Sequence, residues 1–179
     1  MRWLCALLIM LASVAGAEAQ VAWFGLGSGV SWEYQPESNP DRNLYYRSRS
    51  APAVFLALPM DDETLLRLRG AEIPYEVTVD GTVHTARLRG YTAGVDYLLG
   101  GIFGKAVFSA GVGGYRLEFT GAGGRDMAGS TKFGWYVGVG EWFTLTERLK
   151  LTAELLGHRT GHPGRPTLVT ATVGLALSF

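Results

Sequence analysis

A glutamate, a histidine and a threonine near the C-terminal end are residue types from which hydrolytic enzymes build a nucleophile and its base. They are Glu154, His158 and Thr160, in the stretch ELLGHRTGH, and an alternating strand places all three on one face. A threonine hydroxyl beside a histidine can be activated as a nucleophile. No aspartate or glutamate follows Glu154, however. We therefore expect these candidates to be structural polar residues, which line the inside of the fold near one edge.

A second group of charged residues falls on the polar faces of alternating segments. It contains both signs of charge, so its members can neutralise one another inside a fold. We expect a buried network rather than a catalytic centre. The predicted members are Arg67, Arg69, Asp96, Lys150 and Glu154, with Glu33 as a further candidate.

Two other features are weak candidates for binding. His84 lies on a predicted hairpin opposite Val77, with no second histidine or cysteine in that hairpin to partner it as a metal ligand. The glycine-rich stretch at 121–130 lacks the Lys-Ser/Thr ending and the following helix of a phosphate-binding loop. We therefore expect no metal site, no cofactor, and a surface loop at 121–130.

The composition limits the class of protein. The 179 residues carry a net charge of zero, which argues against nucleic-acid binding. Mean hydropathy is only +0.13 although 47% of residues are hydrophobic, so apolar and polar residues are finely mixed.

The first nineteen residues have the pattern of a secretory signal peptide. Arg2 precedes an apolar run at 3–14, and Ala17-Glu18-Ala19 forms an A-x-A cleavage site. Cys5, the only cysteine, would be removed with this segment. We expect an exported domain over residues 20–179 without a thiol or disulfide.

The remaining chain is dominated by alternation with a period of two, which predicts strands. The last segment, TLVTATVGLALSF, shows it most clearly. Eight candidate strands follow this pattern, at residues 24–32, 53–58, 64–79, 82–99, 106–119, 133–143, 149–159 and 167–179.

The third and fourth strands can be aligned residue by residue. Asp-Gly at 80–81 is a strong hairpin signal. A two-residue turn there sorts both strands into an apolar and a polar face. This register pairs Val79 with Thr82 and Glu72 with Arg89, and sets Arg67 diagonal to Asp96.

These features together predict an all-β protein: an eight-stranded antiparallel up-and-down transmembrane β-barrel. The strand number is even, and the joins alternate between long and short. Phe24 and Trp32 share a face about 26 Å apart along their strand, as two aromatic girdles require. Backbone groups in lipid need partners, so the sheet must close. Eight strands leave a lumen that side chains fill, and we expect mostly small inward residues.

One acidic residue conflicts with this pattern. Strict alternation puts Glu141 on the lipid face with Val137 and Val139. We expect either a bulge near Gly140 or a position at the periplasmic interface.

The sequence resembles the small outer-membrane β-barrels of the outer-membrane protein A type. The likeness covers residues 21–179 and is strongest in GVGEWFTLTERLKLTAEL. It implies the outer membrane of a Gram-negative bacterium, with both termini periplasmic. The closing residues are similar to the signal read by the barrel assembly machinery, which implies that role for Phe179, Leu177 and Leu175. The chain has no following peptidoglycan-binding segment, so we expect no cell-wall tethering.

Some barrels of this kind deacylate lipid A with a histidine, a serine and an acid. Their pattern is His-x-Ser-Asn with a downstream acid, whereas this chain reads His-Arg-Thr-Gly from His158. We therefore expect no enzyme activity, and keep the deacylase as an alternative.

Two further alternatives are a soluble lipocalin-like barrel, with its apolar face inward, and a small porin-like pore. The favoured hypothesis is a monomeric structural or surface-interaction protein with a filled lumen. Its expected partners are outer-membrane lipids, an unknown surface partner and lipopolysaccharide, which the basic loop at 41–50 could contact.

Overall fold

The computed structural model describes residues 22–34, 50–79, 82–100, 104–120, 127–162 and 167–179. These residues form a closed antiparallel barrel in which each strand pairs with its neighbours in sequence, and β1 pairs with β8. Within this described part, no helix is long and apolar enough to cross a membrane. The strands are β1 (Trp23–Tyr34), β2 (Ala53–Pro59), β3 (Thr64–Val79), β4 (Thr82–Gly100), β5 (Lys105–Thr120), β6 (Met127–Thr144), β7 (Leu149–Thr160) and β8 (Thr167–Ser178).

The stagger of the strands sets the width of the barrel. Starting at Phe24 and moving from each residue to its partner on the next strand, one returns to β1 at Tyr34, ten residues farther along. This offset of ten residues is the shear of the barrel. Such a shear goes with strands tilted by about 40° and a narrow lumen. Side chains from opposite walls can therefore meet inside.

The predicted register of β3 and β4 is confirmed. Val79 pairs with Thr82, Glu72 with Arg89, and Val77 with His84. The turn residues 80–81 and the side chain of His84 lie outside the described residues, as do the predicted signal peptide and the basic loop up to residue 49.

The strand faces sort as a membrane barrel requires. Leu68, Val173 and Leu175 are 39%, 58% and 49% exposed on the outside, while Arg67 and Glu154 are buried inside. A lipocalin-like barrel needs the opposite sorting, so that alternative is wrong.

The interior differs from the expectation of mostly small residues. Trp23, Phe55, Tyr115, Tyr136 and Trp142 all point inward and are buried. The predicted small inward residues are present, but the prediction omitted these rings, for which the many inward glycines leave room.

Two glycines show this close approach. A Cβ on Gly25 would lie 2.1 Å from Cζ of Phe55, and one on Gly111 would lie 2.4 Å from Cε1 of Tyr136. The glycine-rich strands and the inward rings are therefore complementary parts of one packed interior.

The two ends of the barrel are unlike. At the short-turn end, β2 connects to β3 through residues 60–63 and β6 to β7 through residues 145–148. In the first turn the Glu63 N–H donates to Asp61 Oδ1 at 2.9 Å and holds the pKa of that carboxyl below its ordinary value.

At the opposite, long-loop end, β3 to β6 are longer than the other four strands, with 16, 19, 16 and 18 residues. β6 begins at Met127, so residues 127–130 are strand rather than the expected surface loop. The added length includes an irregularity in the β5–β6 pairing between Arg116 and Glu118. The wall is therefore taller on one side of the barrel.

Candidate functional site

An ion-pair network crosses the middle of the lumen. Arg67 Nε lies 2.7 Å from Asp96 Oδ2, and both side chains are completely buried. The carboxylate of Glu154 accepts hydrogen bonds from Nη1 of Arg67 and Nη1 of Arg69. Ser109 Oγ donates to Asp96 Oδ1 at 2.7 Å. Two cations and two carboxylates thus neutralise each other away from water.

The fold explains how distant residues form this lumen network. Arg67 and Arg69 are alternate residues of β3, and Asp96 lies on neighbouring β4, two residues beyond Gly94, the pairing partner of Arg67. Glu154 lies on β7, far around the barrel, and long guanidinium side chains bridge the lumen to reach it. The Arg67 guanidinium carbon also stacks 4.2 Å from the ring centre of Phe55.

Lys150 does not join the lumen network, contrary to expectation. Its ammonium lies 4.3 Å from the ring centre of Trp23 and 5.4 Å from that of Trp142. The reason is its level on β7, four residues nearer the short turn than Glu154. The side chain of Glu33 lies outside the described residues.

An aromatic cluster fills the lumen at the short-turn end. The rings of Trp23 and Trp142 meet edge to face at 5.9 Å, and Phe55 lies 5.8 Å from Trp142. We call this the lower cluster. Its members are Trp23, Phe55, Ala57, Leu65, Leu98, Val107, Trp142 and Ala176.

A histidine layer lies on the other side of the lumen network. His158 is buried, with Nδ1 at 3.1 Å from the Tyr115 hydroxyl and Nε2 at 3.1 Å from Thr170 Oγ1. His162 Nε2 lies 2.8 Å from the backbone oxygen of Tyr115. An apolar upper cluster follows toward the long-loop end; it consists of Ile73, Leu88, Tyr115, Leu117 and Leu168.

The three candidate catalytic residues are not brought together as nucleophile, base and acid. Thr160 is buried, and its hydroxyl makes no hydrogen bond among the described residues. Both ring nitrogens of His158 are engaged by other side chains, and Glu154 is held by two arginines. His158 and Glu154 share a strand face, as the alternation predicts, but each is bonded to other side chains. Within the described part of the chain, no three His, Cys, Asp or Glu side chains are grouped to hold a metal ion.

Glu141 lies on the outer face. The β5–β6 pairing is regular from Val139 to Glu141, so the bulge expected near Gly140 is wrong. Glu141 lies three residues before β6 ends at Thr144, near the short-turn end. The predicted assembly residues also face outward; Leu175, Leu177 and Phe179 are 49%, 53% and 65% exposed.

Sequence reasoning placed His158 and Thr160 on the inner wall, where both are buried, but it missed the partners of His158 and the inward rings of the lower cluster. The alternation of strand faces could have predicted an inward ring: if Glu141 is outward, its neighbour Trp142 must be inward. The glycines opposite the rings were a second signal, because an inward glycine in a narrow barrel leaves space for a large partner.

The structure is similar to solved outer-membrane barrels. It matches Neisserial surface protein A with a TM-score of 0.69 at 13% identity, over 88% of this chain and 97% of that one. It matches Ail, the attachment invasion locus protein of Yersinia pestis, in complex with the heparin analogue sucrose octasulfate. The TM-score is 0.59 at 12% identity, over 90% of this chain and 100% of that one. It also matches the N-terminal β-barrel domain of Pseudomonas aeruginosa OprF, with a TM-score of 0.59 at 12% identity, over 89% of this chain and 98% of that one.

No family model matches the sequence, and no curated relative was found. The structural likeness establishes the fold: this is a small eight-stranded barrel of the outer-membrane type.

Proposed function

We propose that this protein is an integral outer-membrane barrel with a structural or surface-interaction role and a closed lumen, and that it is not an enzyme. The observation that carries the proposal is the opposite character of the two faces. The outside is an exposed apolar belt, whereas the inside holds a neutral ion-pair network between two apolar clusters.

The orientation is part of the proposal. The short-turn end and both termini lie in the periplasm, and the longer ends of β3 to β6 point outward from the cell. This is the usual arrangement of bacterial barrels, which have short periplasmic turns and longer external loops. Outward Leu175, Leu177 and Phe179 then face the periplasmic leaflet, where the barrel assembly machinery would recognise them.

The packing of the lumen supports a role carried out on the outer surface. Charges that are removed from water need partners of opposite charge. The charges of the lumen network pair with one another, so they do not line an open passage. The external ends and outer wall remain as the parts that can meet lipids or a surface partner. Ail, one of the structural neighbours, was solved with a heparin analogue bound, which shows that a barrel of this fold can take a polyanion.

Two measurements test the proposal. The full chain, expressed in a Gram-negative host, should fractionate with the outer membrane, and it should migrate faster on a detergent gel when unheated than when boiled. Closed barrels stay folded in detergent until heated. Recovery of the protein in the soluble periplasm, with one mobility at both temperatures, would show that the proposal is wrong.

The deacylase alternative has its own readout. Lipid A from cells producing the protein should be unchanged in mass, with the His158→Ala variant as the matched control. Loss of an acyl chain with the wild type but not with His158→Ala would contradict the proposal.

A further inference from the structure

Five charged side chains form a continuous series on the outer wall of β3, β4 and β5. We call this the charged ladder; in spatial order it consists of Arg87, Glu72, Arg89, Glu118 and Arg116. Successive nitrogen–oxygen distances along it are 3.2, 3.3, 3.2 and 3.6 Å. The carboxylates therefore hold the guanidinium groups side by side.

The charged ladder has more positive than negative groups. Three guanidinium groups share two carboxylates, which leaves one positive charge in excess. The arginines are also the more exposed members, at 42% to 51% against 27% and 28% for the glutamates. Arg87 and Arg116, at the two ends, each meet a single carboxylate among the described residues. Because a guanidinium has five N–H donors, most donors at the two ends remain available to an anion.

The depth of the charged ladder indicates where that anion lies. Tyr91 and Phe133 are 66% and 67% exposed, and both pair with Gly114, two residues from Arg116. Two residues of strand rise about 6–7 Å, so the ladder begins directly beyond these aromatic rings. Aromatic girdles mark the boundary between hydrocarbon and headgroups. The ladder thus lies at headgroup depth, well below the strand ends at Val79 and Thr82.

We propose that the charged ladder binds a phosphate group of the lipid in the outer leaflet. Arginine matches phosphate because its planar fork donates two parallel hydrogen bonds. A lipid phosphate is favoured over a soluble polyanion, since the ladder faces sideways into the headgroup layer rather than upward from the loops. The inference rests on the proposed orientation, which puts this end of the barrel in the outer leaflet.

The test measures how much lipid the folded barrel retains. Full-length protein in mild detergent is titrated with diphosphoryl lipid A and examined by native mass spectrometry. The double variant Arg87→Gln/Arg116→Gln removes the two ends of the ladder and keeps the Arg89 bridges. Arg159→Gln is the matched control, because Arg159 is an exposed arginine on β7, away from the ladder. We expect affinity to fall about tenfold in the double variant, from the loss of charge-assisted hydrogen bonds, and to be unchanged in the control.

The other outcomes are also decisive. Equal lipid A affinity in the double variant and the wild type would overturn the inference. So would a loss of binding to sucrose octasulfate with lipid A binding intact, because the site would then serve a soluble polyanion. Monophosphoryl lipid A should bind more weakly than the diphosphoryl form, and equal affinity for lipid without phosphate would contradict a phosphate site.

The folded state is checked independently by heat-dependent gel mobility. If the double variant does not fold, Arg87→Gln alone, at the most exposed end of the ladder, is used with the same expected direction. A barrel that keeps its heat-dependent mobility but ignores lipid A would refute only this inference. A wild-type chain without that mobility would refute the proposed function itself.

Discussion

Glu154 is the residue on which the lumen network converges. It holds Arg67 and Arg69, whereas Asp96 holds only Arg67 and is also bonded by Ser109. Its removal leaves Arg69 without a carboxylate partner in the described structure, in surroundings where an uncompensated charge is costly.

We therefore expect Glu154→Ala to lower the free energy of unfolding by about 3–5 kcal/mol, and Asp96→Ala to lower it by less. Urea unfolding in lipid vesicles, followed by tryptophan fluorescence, measures both. Glu147→Ala, in an exposed turn, is the control and should change stability by under about 0.5 kcal/mol. An equal loss for Glu154→Ala and Asp96→Ala would argue against the central position of Glu154.

Gly25 is a residue whose lack of a side chain is a packing requirement. Its missing Cβ would overlap the ring of Phe55. We expect Gly25→Ala to cost about 1–3 kcal/mol, as overpacking in a dense core does. Thermal or urea unfolding measures the loss, and adding Phe55→Leu should restore part of it. Gly157→Ala is the control, since its nearest neighbouring atom is 3.8 Å away. No difference between the two glycine variants would contradict the ring-and-glycine packing.

At the scale of the element, each strand is defined by which face meets lipid. Val139 lies on the outer face of β6, 47% exposed, between the girdle residues Phe133 and Phe143. An arginine there must enter the hydrocarbon, whereas one at exposed Thr131, beyond Phe133, can reach headgroups.

We expect Val139→Arg to destabilise the barrel by about 2–4 kcal/mol and Thr131→Arg by about 0–1 kcal/mol. Refolding yield into vesicles and the urea midpoint give the comparison. If Thr131→Arg were the more harmful change, the membrane band would lie elsewhere on β6. The outward Glu141 lies near the end of the same strand, and a charge near an interface costs less than one at the midplane.

The register of the strands was largely predictable, and β3 and β4 show why. A one-residue slip would have moved Arg67 to the lipid side, so a single pairing satisfied the polar and apolar faces of both strands. The inward rings were harder to predict. An aromatic residue suits both a lipid girdle and a packed lumen, and its residue type alone does not distinguish them.

At the scale of the whole molecule, buried side chains occupy the lumen at more than one level. The lower cluster, the lumen network, the histidine layer and the upper cluster follow one another along the barrel axis. The interior of an eight-stranded barrel is just wide enough for such side chains to fill, and the proposed closed lumen follows from this.

We expect no steady ion conductance from the wild type in planar bilayers. Glu154→Ala alone should also remain closed, because the rings of Trp23, Phe55 and Trp142 still fill the short-turn end. An established wide porin in the same bilayer is the positive control. Steady single-channel currents from either barrel would favour the pore alternative.

The sequence by itself determined the strands, the pairing of β3 with β4, and which residues face lipid. These properties depend on the alternation of side chains, which repeats every two residues, and on turn chemistry. Both are local features of the sequence. Only the tertiary structure decided which inward residues meet. Lys150 and Glu154 share a strand face, yet the first lies over tryptophan rings and the second binds two arginines. The shear of the closed barrel sets the level of each residue in the lumen, and it exists only when all eight strands have paired.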